Sequence, residues 1–262
     1  MKGFITAMRT LTIIPLPGRE GQKFSSSLIW FPIVGLIIGF IIYGLGWLWI
    51  RLLGTDWPGG GAAVLLTVQV ILTRGLHLDG LADWADAFGG KRDKASRLAV
   101  MKDPRVGAFG VIAIVAVFLA KWVALERLLT MGSFIWVIFI MIISRDMMVV
   151  LMTTLPYARS QEGMASPFIK DISPGQKIWA HIISLILCLF AGPAGLVLYG
   201  LGWIITWPLR TSYERGFGGI TGDLLGTTNE IVEMILLVIC AATGRLILAH
   251  TGWGWLSVYF DF

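Results

Sequence analysis

The sequence predicts an all-α, polytopic integral membrane protein with about seven transmembrane helices, whose functional loops lie on the cytoplasmic side. Hydrophobic residues make up 56% of the 262 residues and charged residues only 14%, whereas a soluble domain averages about 25% charged residues. The apolar residues form long segments, and the polar segments between them carry most of the charges. We expect a single domain over residues 1–262.

About seven apolar segments can cross a hydrocarbon core of about 30 Å. The first spans residues 28–50. The second, 62–73, is short and needs residues 59–61 and part of 75–78 to reach a full span. The third and fourth lie near 108–125 and 134–155. The remaining segments are the two halves of 178–209, which residues 192–195 divide into a helical hairpin, and a last span near 231–249.

The placement of lysine and arginine predicts the orientation. With a cytoplasmic N-terminus, four segments share the cytoplasmic side: 1–27, 74–107, 156–177 and 210–229. The loops on the opposite side hold only Arg51 and Arg127, as the positive-inside rule requires. This asymmetry accounts for the net charge of +5 without a nucleic-acid partner. We expect a multi-pass protein of the cell inner membrane, surrounded by lipid.

Cys188 and Cys240 lie in apolar runs, which predicts no disulfide.

Three carboxylates in the segment 74–86 are the strongest functional signal. Asp79, Asp83 and Asp86 are spaced by four and three residues, so a helix would place them on one face. Anions on one stripe repel each other unless a cation neutralises them or water solvates them. The residues between them are mostly apolar, which argues against a freely solvated loop. Carboxylate oxygens suit Mg²⁺, so the stripe predicts a metal site. His77 is either a further ligand or hydrogen-bonded to backbone.

Two arginines at the ends of spans are candidates for binding phosphate. Arg105 follows Asp103 and Pro104, and a guanidinium matches a phosphate bidentately. Contact with a lipid headgroup is the alternative for Arg105, and a helix N-cap is the alternative for Asp103. Arg159, after Tyr157, is the second arginine.

A glycine-rich segment, residues 215–230, carries an arginine and two acids. Backbone N–H groups beside glycines can meet anionic oxygens, although no Gly-Lys-Ser/Thr follows to make a P-loop. The structural alternative for the acids is stabilisation of the first helical turn by the dipole. The candidate residues are Arg215, Gly218, Gly219, Gly222, Asp223 and Glu230.

Arg145 and Asp146 fall within the fourth apolar segment. Ionisable groups there are costly and usually face the interior of a helix bundle. The presence of Arg145 and Asp146 in an apolar segment would be explained if the two residues pair with each other or if they reach the functional site.

Taken together, these segments resemble the cobalamin synthase family, the membrane adenosylcobinamide-GDP ribazoletransferases. The resemblance covers nearly the whole chain, and its departures are Trp84, where a small or hydroxyl residue is usual, and Thr227, where alanine is usual. The matching motifs are Gly75-Leu76-His77-Leu78-Asp79-Gly80-Leu81-Ala82-Asp83 with Asp86, Asp103-Pro104-Arg105-Val106-Gly107, Tyr157-Ala158-Arg159 with Glu162-Gly163-Met164, and Gly218-Gly219-Ile220-Thr221-Gly222-Asp223-Leu224-Leu225-Gly226 with Glu230.

The resemblance implies a Mg²⁺-dependent step of cobalamin biosynthesis. Adenosylcobinamide-GDP would donate its cobinamide-phosphate to α-ribazole or α-ribazole 5′-phosphate, and GMP would leave. Asp79, Asp83 and Asp86 would hold Mg²⁺ against the pyrophosphate. Asp223 and Glu230 would complete the shell of the ion, or one carboxylate would accept the proton of the ribazole hydroxyl. Phosphate oxygens would be bound by three arginines and three glycines: Arg105, Arg159, Arg215, Gly218, Gly219 and Gly222. Other late cobalamin-biosynthesis enzymes are implied as partners.

Three alternatives remain open on the sequence. A CDP-alcohol phosphotransferase would use a similar Asp-Gly motif, but Ala82 is followed by Asp83 instead of arginine. A prenyl-diphosphate transferase would also bind a diphosphate through aspartates. A membrane transporter could use the same carboxylates, although transporter sites lie near the bilayer midplane and these acids mostly lie at the ends of spans.

Overall fold

A computed structural model describes residues 1–90, 93–159, 163, 165–170 and 172–243. This part of the chain forms eleven α-helices and a 3₁₀ helix, Phe24–Trp30, and contains no β-strand. The α-helices are α1 (Lys2–Leu11), α2 (Phe31–Leu53), α3 (Pro58–Thr73), α4 (Leu76–Phe88), α5 (Lys94–Val100), α6 (Ala108–Thr130), α7 (Trp136–Thr154), α8 (Ser166–Ile169), α9 (Pro174–Leu189), α10 (Gly192–Phe217) and α11 (Gly222–Thr243).

The predicted all-α membrane fold is confirmed. Five helical segments are long and apolar enough to cross a membrane, namely α2 with the 3₁₀ helix before it, α6, α7, α10 and α11. A sixth span results if α3 and α4 together count as one, and α9 is a shorter apolar helix. The predicted hairpin within 178–209 is formed by α9 and α10. Residues 244–249 of the predicted last span lie outside the described residues.

The chain bends by 90° between α3 and α4. Arg74 and Gly75 both adopt left-handed backbone conformations, with φ of 56° and 65°, which end one helix and start the next in a new direction. The sequence suggested that part of residues 75–78 extends the second span along its axis. This expectation was wrong, because the chain turns there and residues 76–78 begin α4. Two predicted loops are also largely helical, because 74–107 contains α4 and α5, and 210–229 contains the end of α10 and the start of α11.

Helix α7 forms the centre of the bundle and is buried over almost its whole length. Helix α2 packs closely against it through glycines, since a Cβ on Gly39 would lie only 2.7 Å from the Cα of Ile138. Close backbone approach at small residues is typical of helices packed within membranes.

The outer faces of the bundle are apolar. Several large side chains of α6, α9 and α10 are exposed, a pattern rare on soluble monomers and expected where lipid covers the protein. Examples are Ile112, Leu119, Val123, Trp179, Ile186, Ile204 and Trp207.

Candidate active site at the crossing of α4 and α11

Two glycines allow α4 and α11 to cross in direct backbone contact. A Cβ on Gly80 would lie 2.5 Å from the carbonyl oxygen of Asp223, and a Cβ on Gly226 would lie 2.9 Å from the Cα of His77. The hydroxyl of Thr227 donates to the Gly80 carbonyl at 2.9 Å, so this departure from the family pattern adds a contact at the crossing. The result is that the acidic face of α4 lies beside the first turn of α11.

The crossing brings together Asp79, Asp83 and Asp223. The half-buried Asp83 carboxylate is repelled by Asp223, Asp79 and Asp86 and attracted by Arg159. Arg159 donates to Oδ2 of Asp223 at 2.8 Å. More negative than positive charge therefore lies on this side of the crossing, and Asp79 is exposed there. Asp79, Asp83 and Asp86 all lie on helix α4, as their spacing predicted.

Arg159 reaches Asp223 because two loops are joined by backbone hydrogen bonds. The N–H of Ile220 donates to the Pro156 carbonyl at 2.9 Å, and the N–H of Ala158 donates to the Ile220 carbonyl at 2.8 Å. Gly219 is required here, because a Cβ would collide with the Pro156 carbonyl oxygen. Of the motif that follows Arg159, Glu162 and Met164 lie outside the described residues.

Two of the three predicted phosphate-binding glycines have other structural roles. Gly218 adopts φ of 80° and donates its N–H to the carbonyls of Tyr213 and Glu214, which ends α10. Gly219 makes the close contact with Pro156. Gly222 begins α11 beside Asp223 and stays a candidate for contact with a phosphate.

Asp86 caps another helix. Its two carboxylate oxygens accept hydrogen bonds from the N–H groups of Gly107 at 2.7 Å and Gly110 at 2.9 Å. These N–H groups belong to the first turn of α6, where backbone donors lack intrahelical partners and the dipole attracts an anion.

The predicted metal site of Asp79, Asp83, Asp86 and Asp223 stays a prediction, because these carboxylates do not form a preformed group in the described part of the chain. Within the described ranges, no three His, Cys, Asp or Glu residues are close enough together to hold one ion. The contacts of Asp86 with the start of α6 provide the physical reason for its absence from such a group.

Arg105 and Arg215 lie away from the acidic cluster. The exposed guanidinium of Arg105 donates to both oxygens of Asp103, at 2.9 and 2.7 Å. Together with the Arg105 N–H, these bonds lower the pKa of Asp103 to about 2. Asp103 therefore forms a local turn and does not cap α6, whose first residue is Ala108. Arg215 is exposed and lines a separate cavity.

Glu230 is buried in an ion-pair network in the middle of the bundle. Lys121 donates to Glu230 at 2.6 Å and to Glu233 at 2.7 Å. Seven residues separate Glu230 from Asp223, which is about 10 Å along a helix, so the predicted grouping of Glu230 with the site carboxylates is not observed. A lone lysine in the third apolar segment was the sequence signal for this network.

Further polar groups from α3, α7 and α11 complete this network. Arg145 donates to Glu233, whose oxygens also accept from Gln69, Ser144 and Asn229.

Asp146 does not pair with Arg145, because it accepts instead from Tyr199 at 2.8 Å and contacts His181 at 3.0 Å. Buried ionisable groups are thus matched by partners on neighbouring helices. His77 lies nearby, 1% exposed and without a hydrogen-bond partner.

The fold and the site define a polytopic α-helical membrane protein with an acidic cluster and adjacent arginine at one end of its bundle. Residues 3–241 match the family described as cobalamin-5-phosphate synthase. The chain belongs to this family.

Curated relatives support the same assignment. The chain is 38% identical over 244 residues to the adenosylcobinamide-GDP ribazoletransferase of Chlorobium phaeobacteroides, covering 91% of this chain and 96% of the relative. It is 40% identical over 252 residues to that of Chlorobium chlorochromatii, with coverage of 94% and 97%. The relative from Syntrophobacter fumaroxidans is 38% identical over 241 residues, with coverage of 89% and 96%. No solved structure matches the chain.

Proposed function

We propose that this protein is a membrane-embedded adenosylcobinamide-GDP ribazoletransferase. It would transfer the cobinamide-phosphate of adenosylcobinamide-GDP to a hydroxyl of α-ribazole or α-ribazole 5′-phosphate and release GMP. The names of the relatives support these substrates. The observation that carries the proposal for the site is the convergence of Asp79, Asp83 and Asp223 beside Arg159 where α4 crosses α11.

The acidic cluster fits a magnesium ion that is completed by substrate. Mg²⁺ keeps several waters and is usually bound through one or two carboxylates plus substrate phosphates, so a preformed group of three protein ligands is not needed. Asp79 and Asp83 supply hard oxygen donors, and their mutual repulsion is relieved by a cation. When bound, the ion neutralises charge on the pyrophosphate and on the departing GMP.

The protein's own residues have the following parts in the reaction. Arg159 holds Asp223 in place and presents its remaining N–H groups to a phosphate oxygen. Asp223 or Asp83 accepts the proton of the attacking ribazole hydroxyl. The new bond forms between that oxygen and the cobinamide phosphorus, and the bond from phosphorus to the GMP oxygen breaks. No covalent intermediate is required, since phosphoryl transfer depends mainly on positioning and electrostatics.

We also propose that the acidic cluster lies on the cytoplasmic side of the membrane. Arg159 contacts Asp223 of the acidic cluster, Arg105 lies just before α6, and Arg215 lies in the last turn of α10, just before α11. The positive-inside rule would assign these segments to the cytoplasm. The donor carries a negatively charged pyrophosphate and would reach the site from there. Lipid of the inner membrane and other late cobalamin-biosynthesis enzymes are the proposed neighbours.

The test is GMP release by the full-length protein in liposomes, with adenosylcobinamide-GDP and α-ribazole. We expect release and a cobalamin product with Mg²⁺, and neither after chelation. Asp79→Asn should lower turnover at least about a hundredfold without reducing membrane insertion, since it removes a metal ligand. Asp56→Asn, an exposed acid in the loop between α2 and α3, is the matched control. Retained turnover in Asp79→Asn would disprove the site, and no product from the unmodified protein would disprove the reaction.

A further inference from the structure

An open cavity of about 500 Å³ lies between α5 and the C-terminal turns of α10, and no residue of the acidic cluster lines it. Its volume is in the range of small-ligand sites. The α10 residues that line it recur at helical spacing and so form one face of that helix. The lining residues are Arg97, Pro208, Thr211, Ser212, Arg215 and Gly216, with no carboxylate among them.

Arg97 lies against two aromatic rings at the edge of this cavity. Its guanidinium carbon lies 5.1 Å from the ring centre of Phe88 and 5.8 Å from that of Phe217. One of its N–H groups makes a long contact, 3.4 Å, with the Gly216 carbonyl, while its buried Nε has no partner. The glycine at 216 makes room for it, since a Cβ there would lie 2.7 Å from Nη1 of Arg97.

The positive charge at this place exceeds what the end of a helix requires. The dipole of α10 corresponds to about half a negative charge at its C-terminus, which a single cation offsets. Arg97, Arg215 and Lys94 are present, since Arg215 lines the cavity and Nζ of Lys94 lies 3.8 Å from the Cβ position of Gly218. The carboxylate in this turn, that of Glu214, is paired with a further cation, Arg210, at 3.0 Å. Among the described residues, neither Arg97 nor Arg215 forms an ion pair with a carboxylate.

We propose that the cavity between α5 and α10 is a binding site for an organic phosphate, in which Arg97 and Arg215 bind the phosphate group and Ser212 provides a hydroxyl. Guanidinium groups with free N–H donors match phosphate oxygens. Two sources have this chemistry: the 5′-phosphate of the ribazole acceptor and the headgroup of an anionic lipid. Assignment to the acceptor rests on the proposed function, but the binding of phosphate does not.

The test compares acceptors that differ only in the phosphate. Full-length protein is placed in phosphatidylcholine nanodiscs, and the KM for α-ribazole 5′-phosphate and for α-ribazole is measured. Arg97→Gln should raise the KM for α-ribazole 5′-phosphate about tenfold or more, since hydrogen bonds to charged groups contribute about 1.5–3 kcal/mol. The same substitution should leave the KM for α-ribazole unchanged. Gly216→Ala should act in the same direction, because it displaces the Arg97 side chain without removing its charge. Arg51→Gln is the matched control, since Arg51 also lies over an aromatic ring, that of Trp47, at 5.6 Å.

Two binding measurements distinguish the acceptor phosphate from the lipid phosphate. They also distinguish failure of the phosphate site from failure of the proposed reaction. Calorimetric titration of α-ribazole 5′-phosphate without donor detects binding even if no turnover occurs. The phosphate site is therefore tested even if the proposed reaction is wrong. If Arg97→Gln instead lowers retention of phosphatidylglycerol from mixed nanodiscs, with both KM values unchanged, the lipid is the source. Equal effects on both acceptors would indicate a purely structural arginine. That result, or no difference from Arg51→Gln in any assay, would overturn the proposal.

Discussion

Substituting Gly80 with alanine tests whether the crossing of α4 and α11 sets the geometry of the site. The new Cβ would lie 2.5 Å from the Asp223 carbonyl oxygen and 2.7 Å from its Cα. Ordinary van der Waals contact begins at 3.4 Å, so the helices must separate by about 1 Å. Neither atom belongs to a flexible side chain, and the backbone itself has to move.

The expected loss is larger in activity than in stability. Inserting a methyl group into a tight contact costs about 1–3 kcal/mol, which lowers the thermal midpoint but leaves the protein folded. A displacement of about 1 Å between reacting groups costs about a hundredfold in rate, because Asp79 and Asp83 move on α4 while Asp223 stays on α11. GMP release and the thermal unfolding midpoint, measured on the same preparation, separate the two effects.

Gly44→Ala is the matched control for this prediction. Gly44 lies on α2, and nothing is within 4 Å of its Cβ position, so alanine should stabilise the helix by about 0.5–1 kcal/mol with unchanged turnover. If Gly80→Ala retains the turnover of the unmodified protein, then the close approach of α4 to α11 does not position the acids, and the reasoning is refuted.

Two further substitutions test the roles that the structure assigns away from the crossing. Lys121→Met leaves Glu230 and Glu233 buried without their shared cation, which should cost about 3–5 kcal/mol of stability; an unchanged thermal midpoint would argue against the network. Asp86→Ala removes the acceptor for the N–H groups of Gly107 and Gly110 and should cost about 1 kcal/mol, with less than about a tenfold fall in GMP release. Complete loss of turnover in a folded Asp86→Ala protein would restore Asp86 to the metal site.

The sequence predicted the long apolar spans, although it gave about seven where the described residues contain five or six, and it did not predict the helices between them. Long apolar segments identify spans by composition alone. Helices α4 and α5 have only 13 and 7 residues, which is shorter than the run of about 20 apolar residues that identifies a transmembrane helix. The bend at Arg74 and Gly75 depends on two successive left-handed residues, and a non-glycine residue in that conformation is uncommon.

For the site, local spacing was informative and distant partners were not. The spacing of Asp79 and Asp83 placed both on one face of α4, since helical geometry is local. The role of Asp86 depends on N–H groups 21 and 24 residues further along the chain. Only the folded arrangement of α4 against α6 reveals that contact.

The buried network explains how a site at the end of the bundle can be rigid. Lys121 and Arg145 balance Glu230 and Glu233, and any rotation of α11 would leave charges unpaired in a medium where that is costly. The network therefore fixes the rotation of α11 about its axis. Asp223 lies two turns away on the same face of this helix, so its direction toward α4 is fixed as well. Glu230 thereby contributes to the site through the placement of α11, at a distance from the reacting groups.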